Sequence, residues 1–183
     1  MRTTVATISA IMLLLTSGAY AQAKQPEVSK KDSWMTYRLT HPLHEIEATS
    51  KDVEYRVDAD AAKKEVRAVS AVVDVTTFNS GNSNRDSHAM EVIDAIDFPE
   101  VTFVSSSVVQ AGDSLKIAGK LTFHGVTQEI VMMARPRWAP DTLDVSGQFA
   151  LSLTAFQIER PSLLMIPVED ALRFTFEAVF VLK

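Results

Sequence analysis

Along much of this chain, apolar and polar residues alternate one by one. Leu115, Ile117, Gly119, Leu121 and Phe123 fall on one side of an extended segment, and Lys116, Ala118, Lys120, Thr122 and His124 on the other. The stretch from Leu143 repeats the pattern, with Leu143, Val145, Gly147, Phe149, Leu151 and Leu153 opposing Asp144, Ser146, Gln148, Ala150, Ser152 and Thr154. Near the end, Leu172, Phe174, Phe176, Ala178, Phe180 and Leu182 share one side. Successive side chains of a strand point to opposite faces, so this period predicts half-buried antiparallel strands with one wet face; a helix would scatter the same residues around its circumference. Less regular segments of the same kind lie near Trp34–Thr40, His44–Val57, Val66–Val75, Val101–Val109 and Val126–Arg137. The total is about eight strands.

The connections have their own signals. Gln110-Ala111-Gly112-Asp113-Ser114 reads as a hairpin loop and His124-Gly125 as a tight link. Gly119 and Gly147 sit in mid-strand on apolar faces, where a missing side chain permits sharp coiling, so the sheet is expected to curl on itself. One helix is expected over 85–96: Asn84 suits an N-cap, Asp86 favours the positive end of the helix dipole, and Met90, Ile93 and Ile96 share a face before Phe98-Pro99 ends the run. Alternation fails between Phe156 and Asp170, around Pro161 and Pro167, while Leu163-Leu164-Met165-Ile166 stays apolar. This reads as a loop or short turn over one end of the sheet.

The first residues modify the picture. Arg2, the apolar run Val5–Leu15, the break at Thr16-Ser17-Gly18, and the small-residue sites Ala19-Tyr20-Ala21 and Ala21-Gln22-Ala23 have the order of a secretory leader. Cleavage is expected after Ala21 or Ala23, leaving residues 24–183 as one domain in the periplasm or outside the cell. No later run is long and apolar enough for a membrane-spanning helix, so no stable membrane insertion is expected. The whole chain carries a formal charge of −5, and losing Arg2 makes the remainder one unit more negative. Without a Lys/Arg cluster, this balance argues against nucleic acid as a partner. There is no cysteine, so an exported domain must rest on its core alone, and thiol redox or thiolate-metal chemistry is excluded.

With the strands placed, several runs resemble the YceI family of lipocalin-like exported proteins. Arg85-Asp86-Ser87-His88 resembles the family's R-D-x-H helix opening, Phe98-Pro99-Glu100-Val101-Thr102-Phe103-Val104-Ser105 its Y-P-x-[IV]-x-F-x-S strand, and Gly119-Lys120-Leu121-Thr122-Phe123-His124-Gly125-Val126-Thr127 its G-x-L-T-[IL]-x-G-V-T run. Gly147-Gln148-Phe149, Arg160 and Val168-Glu169-Asp170 fall where a later G-x-F, an Arg and a closing V-x-D are expected, so the resemblance spans about residues 65–183. Two places depart from it: Leu163-Leu164-Met165 lacks the glycine of the family's F-G-[MI], and His41-Pro42-Leu43-His44 matches its D-x-x-H-S start only loosely. The resemblance implies an all-β fold, an eight-stranded antiparallel lipocalin-like barrel with one short helix, and a long apolar cavity for a polyisoprenoid lipid. A barrel of that size either fills with its own side chains or holds one small ligand.

The expected ligand wall is Phe103, Leu115, Ile117, Leu121, Phe123, Ile130, Met132, Val145, Phe149, Leu151, Phe174 and Phe176, residues that would otherwise pack together as a filled core. Met132 and Met133 could adapt to a flexible chain. Each buried methylene contributes ~0.8 kcal/mol, so a tail of ~20 carbons gains roughly 16 kcal/mol gross against an association cost of ~4–15 kcal/mol. A barrel can therefore carry a lipid without any polar motif. Arg85, Asp86, His88 and Arg160 are candidates for a polar mouth, or else tie the helix to the barrel rim. His41 and His44 would need the Pro42 turn to bring them together, and nothing fixes a metal geometry around them or around His88 and His124. Ser87-His88 beside Asp86 is not a triad, because triads assemble around a substrate rather than from helix neighbours. The expectation is a non-enzymatic periplasmic carrier or sequestering protein for a long-chain, isoprenoid-type lipid, with no metal and no other cofactor. Its rivals are a filled barrel acting through its outer surface and a barrel enzyme on an apolar substrate.

Overall fold

The computed structural model describes residues 26–182; the leader lies outside them. The strands are β1 (Glu27–Val28), β2 (Trp34–His41), β3 (His44–Ser50), β4 (Val53–Asp60), β5 (Glu65–Asp74), β6 (Glu100–Ala111), β7 (Ser114–Phe123), β8 (Val126–Trp138), β9 (Thr142–Ser152), β10 (Ser162–Leu163), β11 (Ile166–Pro167) and β12 (Ala171–Val181). The helix α1 covers Ser83–Val92. The main sheet runs β3-β2-β12-β9-β8-β7-β6-β5-β4, with β1 added to the end of β12 and β10–β11 a separate small hairpin.

This order closes on itself. Its two ends, β3 and β4, are consecutive in sequence, with only Lys51 and Asp52 between them. Every neighbouring pair is antiparallel, so β3 and β4 run the same way and are halves of one sharply bent strand. Counted once, that strand gives the eight of the lipocalin-like barrel. The expected strand His44–Val57 is therefore present but broken at Lys51-Asp52, and its two halves pair with different neighbours, β2 and β5. The corner is held by Ser50, which is fully buried: its Oγ accepts from the Asp52 N–H at 3.1 Å and shares a hydrogen bond with Thr77 Oγ1 at 2.6 Å. A buried hydroxyl at a bend must be satisfied locally, and this one is.

The alternation sorts the faces as expected. Leu115, Ile117, Leu121 and Phe123 are buried inside, while Lys116 and Lys120 are exposed outside. Met133, expected to help line a cavity, is on the outer face and nearly half exposed, because its neighbours Met132 and Ala134 take the inward positions.

The helix begins and ends earlier than expected. Its N-cap is Asn82 rather than Asn84, with the Asn82 side chain accepting from the Arg85 N–H at 3.2 Å. It stops at Val92 because Asp94 turns the chain into the left-handed region at φ 48°, leaving Ile96 almost wholly exposed instead of on the face shared by Met90 and Ile93. His124 secures the far end: one ring nitrogen lies 3.3 Å from Asp94 Oδ2 and the other 3.1 Å from the Phe156 carbonyl, while the ring packs on Phe98.

Candidate functional site: an apolar cavity with a polar and an apolar rim

The barrel is hollow. A cavity of about 540 Å³ runs between the inner faces of its strands, within the range of ~300–1,000 Å³ found for small-molecule sites. Of the expected wall, Phe103, Ile117, Leu121, Phe123, Met132, Val145, Phe149, Leu151, Phe174 and Phe176 line it. Leu115 and Ile130 do not: they face inward but pack into the surrounding core, Leu115 opposite Ala134 and Ile130 opposite Gly119. The N-terminal strands contribute as much again, through Met35, Tyr37, Leu39, Ile46, Tyr55, Val69 and Ala71, with Phe78 from the segment before α1. Those residues alternate too, but less cleanly than the C-terminal strands, so their inward faces stand out less in the sequence.

Aromatic rings organise the wall. Phe149 and Phe174 stack across the β9–β12 ladder at 4.9 Å between centroids, with planes 10° apart. Tyr37 packs on Phe78 at 5.2 Å and meets Phe174 edge-on, and Tyr55 lies 6.3 Å from Phe176. Burial, and then the nearby Asp86 carboxylate, raises the Tyr37 phenol above its ordinary value. Burial alone raises that of Tyr55, whose hydroxyl donates to the Trp34 carbonyl at 3.1 Å. Both phenols therefore stay neutral, as an apolar interior requires.

One end of the cavity is bordered by three connections. The β2–β3 hairpin brings His41 and His44, α1 brings Arg85 and His88, and the segment before β11 brings Pro161, Ser162 and Leu163. The hairpin turn places the two histidine rings side by side, 5.2 Å apart, instead of on opposite faces. His41 is buried and fully engaged: its Nδ1 accepts from the Leu43 N–H at 3.2 Å, so its Nε2 donates to the Ile166 carbonyl at 3.0 Å. It joins the hairpin to the loop opposite. Among the described residues no three His, Cys, Asp or Glu side chains group in a way that could hold a metal.

The remaining mouth candidates are mostly committed to the fold. Arg85 donates to Ser80 Oγ at 2.9 Å and to the Ser80 carbonyl at 3.0 Å, while Asp86 accepts from the Ser80 N–H at 3.1 Å. Both clamp the start of α1 onto the chain before it. His88 is exposed on the helix, 3.5 Å from Glu91. Arg160 donates to the Val168 carbonyl through Nε at 2.8 Å and Nη2 at 2.5 Å, fixing the loop, and it does not line the cavity. The wall therefore offers shape and apolar contact with few free polar groups.

Comparison with known proteins agrees with this architecture. The UPF0312 protein of Pseudomonas syringae pv. tomato is 27% identical over 179 residues, covering 90% of this chain and 91% of that protein. The crystal structure of Burkholderia cenocepacia BcnA superposes with a TM-score of 0.76 at 22% identity, covering 84% of this chain and 99% of that one. A polyisoprenoid binding domain from Saccharophagus degradans, implicated in plant cell wall breakdown, superposes with a TM-score of 0.69 at 10% identity, covering 87% and 100%. The YceI-like domain model matches residues 27–180, taking in the N-terminal hairpin that the sequence motifs matched only loosely, and the chain belongs to that family.

Proposed function

We propose that this protein is an exported carrier or sequestering protein that holds one long-chain apolar lipid of the isoprenoid type inside its barrel. The observation that carries the proposal is the cavity of about 540 Å³, walled by aliphatic and aromatic side chains from most strands of the barrel. A protein interior is normally close-packed, so a hollow of this size forfeits contacts that a filled core would make. A bound apolar chain restores them. The description of the Saccharophagus relative as polyisoprenoid-binding supports the choice of lipid, and the leader-like residues before Ala23 support export.

The filled barrel that works only through its outer surface does not need this hollow. A barrel enzyme would need reactive groups gathered around a substrate; at the cavity's end Arg85 and His41 are instead engaged in structural hydrogen bonds. His44 and His88 stand at the mouth, His44 beside the engaged His41 ring and His88 exposed beside Glu91 on the helix.

Native mass spectrometry of protein purified without strong detergent tests the proposal. A co-purifying lipid, displaceable by cis-parinaric acid, is expected. Protein that is ligand-free and leaves the fluorescence of that polyene fatty acid unchanged would sink it.

A further inference from the structure

The end of the barrel that opens at Leu163 carries an apolar lip. From Pro161 to Val168 the chain has no charged residue, and its only polar side chain is Ser162. The small hairpin β10–β11 projects the middle of this run into solvent: Leu164 is 76% exposed and Met165 91%. Leu43, 61% exposed, lies beside it, because His41 bonds both the Leu43 N–H and the Ile166 carbonyl.

The backbone makes this placement costly. Leu163 pairs with Ile166, and the two residues between them, Leu164 and Met165, have φ of 52° and 64°. A two-residue hairpin turn with both central residues in the left-handed region is one that Asn and Gly favour, and large aliphatic side chains do not. Here it carries two apolar side chains that lie mostly in solvent. Neither conformation nor solubility accounts for them, which points to an apolar environment at the tip.

We infer that this lip docks the protein on a lipid bilayer, inserting Leu164 and Met165 into the interface so that cargo moves between membrane and cavity without crossing water. The inference rests on the carrier reading above. Three observations select a bilayer as the occupant. Leu163 and Pro161 line the cavity while Leu164 and Met165 form the outer tip, so one continuous apolar surface runs from the tip inward. The exposed patch is a handful of residues, far short of the roughly 20–30 a side of a stable protein interface, but enough for shallow insertion. The lip is uncharged on an acidic protein, so it suits a neutral lipid surface and needs no anionic headgroups.

The test uses Leu164→Asn together with Met165→Asn, changes that fit the left-handed turn at two residues that do not themselves line the cavity. Flotation with phosphatidylcholine vesicles is measured at low and high salt, beside the rate at which cis-parinaric acid moves from vesicles into the protein. Wild-type protein should float independently of salt, and the double variant should bind vesicles about tenfold or more weakly and load from them correspondingly slowly. Its affinity for the probe dispersed in solution should be unchanged. A wild type that does not float, or a variant that floats and loads like wild type, overturns the inference. So does light scattering that shows the lip joining two copies of the chain, with the variant monomeric. If the wild type floats but takes up no probe in either assay, it is the carrier reading that fails.

Discussion

Phe176 lays its ring over the backbone of Gly147, its partner across the β9–β12 ladder, so closely that a Cβ on residue 147 would sit 2.8 Å from the ring's Cζ. The Met133 carbonyl, on the other neighbouring strand, would be 2.9 Å away. Gly119 is covered in the same way by a diagonal neighbour: a Cβ there would sit 2.6 Å from Cζ of Phe103, whose direct partner is Leu121. These glycines are where rings must lie flat against the wall for the cavity to stay open beyond them.

Gly147→Ala is therefore expected to destabilise the protein by about 1–3 kcal/mol through overpacking, although alanine is the smallest possible addition. Phe176→Leu in the same chain should recover part of that loss by withdrawing the ring. The recovery is incomplete, since the Met133 carbonyl is backbone and cannot swing away. Urea midpoints on the two single variants and the double close the cycle. Additive single effects would show that the ring and the glycine are not coupled.

The fold was legible because period-two alternation is strong where one face is wet and the other is not. Leu115–Phe123, Leu143–Leu153 and Leu172–Leu182 therefore came through as strands with the correct faces. The bend at Lys51-Asp52 leaves one mark in the sequence, a one-residue slip of the alternation from Ile46, Ala48 and Ser50 to Val53, Tyr55 and Val57, but a slip of that kind also marks a bulge within a continuous strand. The hollow was not legible. An apolar inward face looks the same in sequence whether it meets a partner across the barrel or an empty space. Whether Ile130 and Leu115 touch that space depends on Gly119 and Ala134 opposite them and on rings several strands away, which no local pattern encodes. The helix was misplaced at both ends because Asn82 and Asn84 are equally good caps on paper, and the left-handed turn at Asp94 has no Gly or Asn to announce it.

Ala71 separates cavity from core most cleanly. It is half-buried, lines the cavity, and stands between Tyr55 and Phe103 across its two ladders. Ala71→Leu should be accepted with a stability change below about 1 kcal/mol, because the added atoms enter open space. The same atoms occupy cargo volume, so affinity for cis-parinaric acid should fall by about tenfold or more, the equivalent of one to two displaced methylenes. Fluorescence titration and a denaturation curve on one preparation give both numbers. Large destabilisation with unchanged affinity would mean that the probe binds elsewhere.

Truncations should divide in the same way. Leu143 is fully buried outside the cavity lining, so Leu143→Ala leaves a hole among close-packed neighbours and should cost ~2–5 kcal/mol. Phe174 removes more atoms when cut to alanine, but part of its ring faces the cavity, and its specific loss is the stack on Phe149, about 0.5–1.5 kcal/mol beyond burial. Phe174→Ala should therefore destabilise less per atom removed than Leu143→Ala, while only Phe174→Ala weakens lipid binding. Thermal and chemical denaturation of both variants, with probe titrations, make the comparison. A Phe174→Ala variant that binds the probe as tightly as wild type contradicts the assigned wall.

The excursion that carries the apolar lip is closed at its base by Asp170. Its carboxylate accepts from Ser152 Oγ at 2.5 Å and from the Thr154 N–H at 2.9 Å, while its own carbonyl accepts from the Leu153 N–H, so the end of β9 is tied to the start of β12. The Ser152 hydroxyl first, and the Thr154 amide second, hold this carboxyl below its ordinary value of 3.8. A carboxyl whose value is lower folded than unfolded favours the folded state once ionised. Its contribution is complete above the unfolded value and is lost as pH falls toward and through the folded one. Asp170→Asn keeps an acceptor for Thr154 but removes the charge, so near neutral pH it should cost about 1 kcal/mol, the difference between charged and neutral hydrogen bonds at a partly solvated site. Asp60, also held low by the Lys63 N–H and its neighbours, titrates alike in both proteins and cancels from the difference. Urea midpoints of wild type and variant should therefore run parallel from pH 7 to about 5 and converge below about pH 4. A gap that stays constant through the acid range would show that ionised Asp170 adds nothing a neutral acceptor does not.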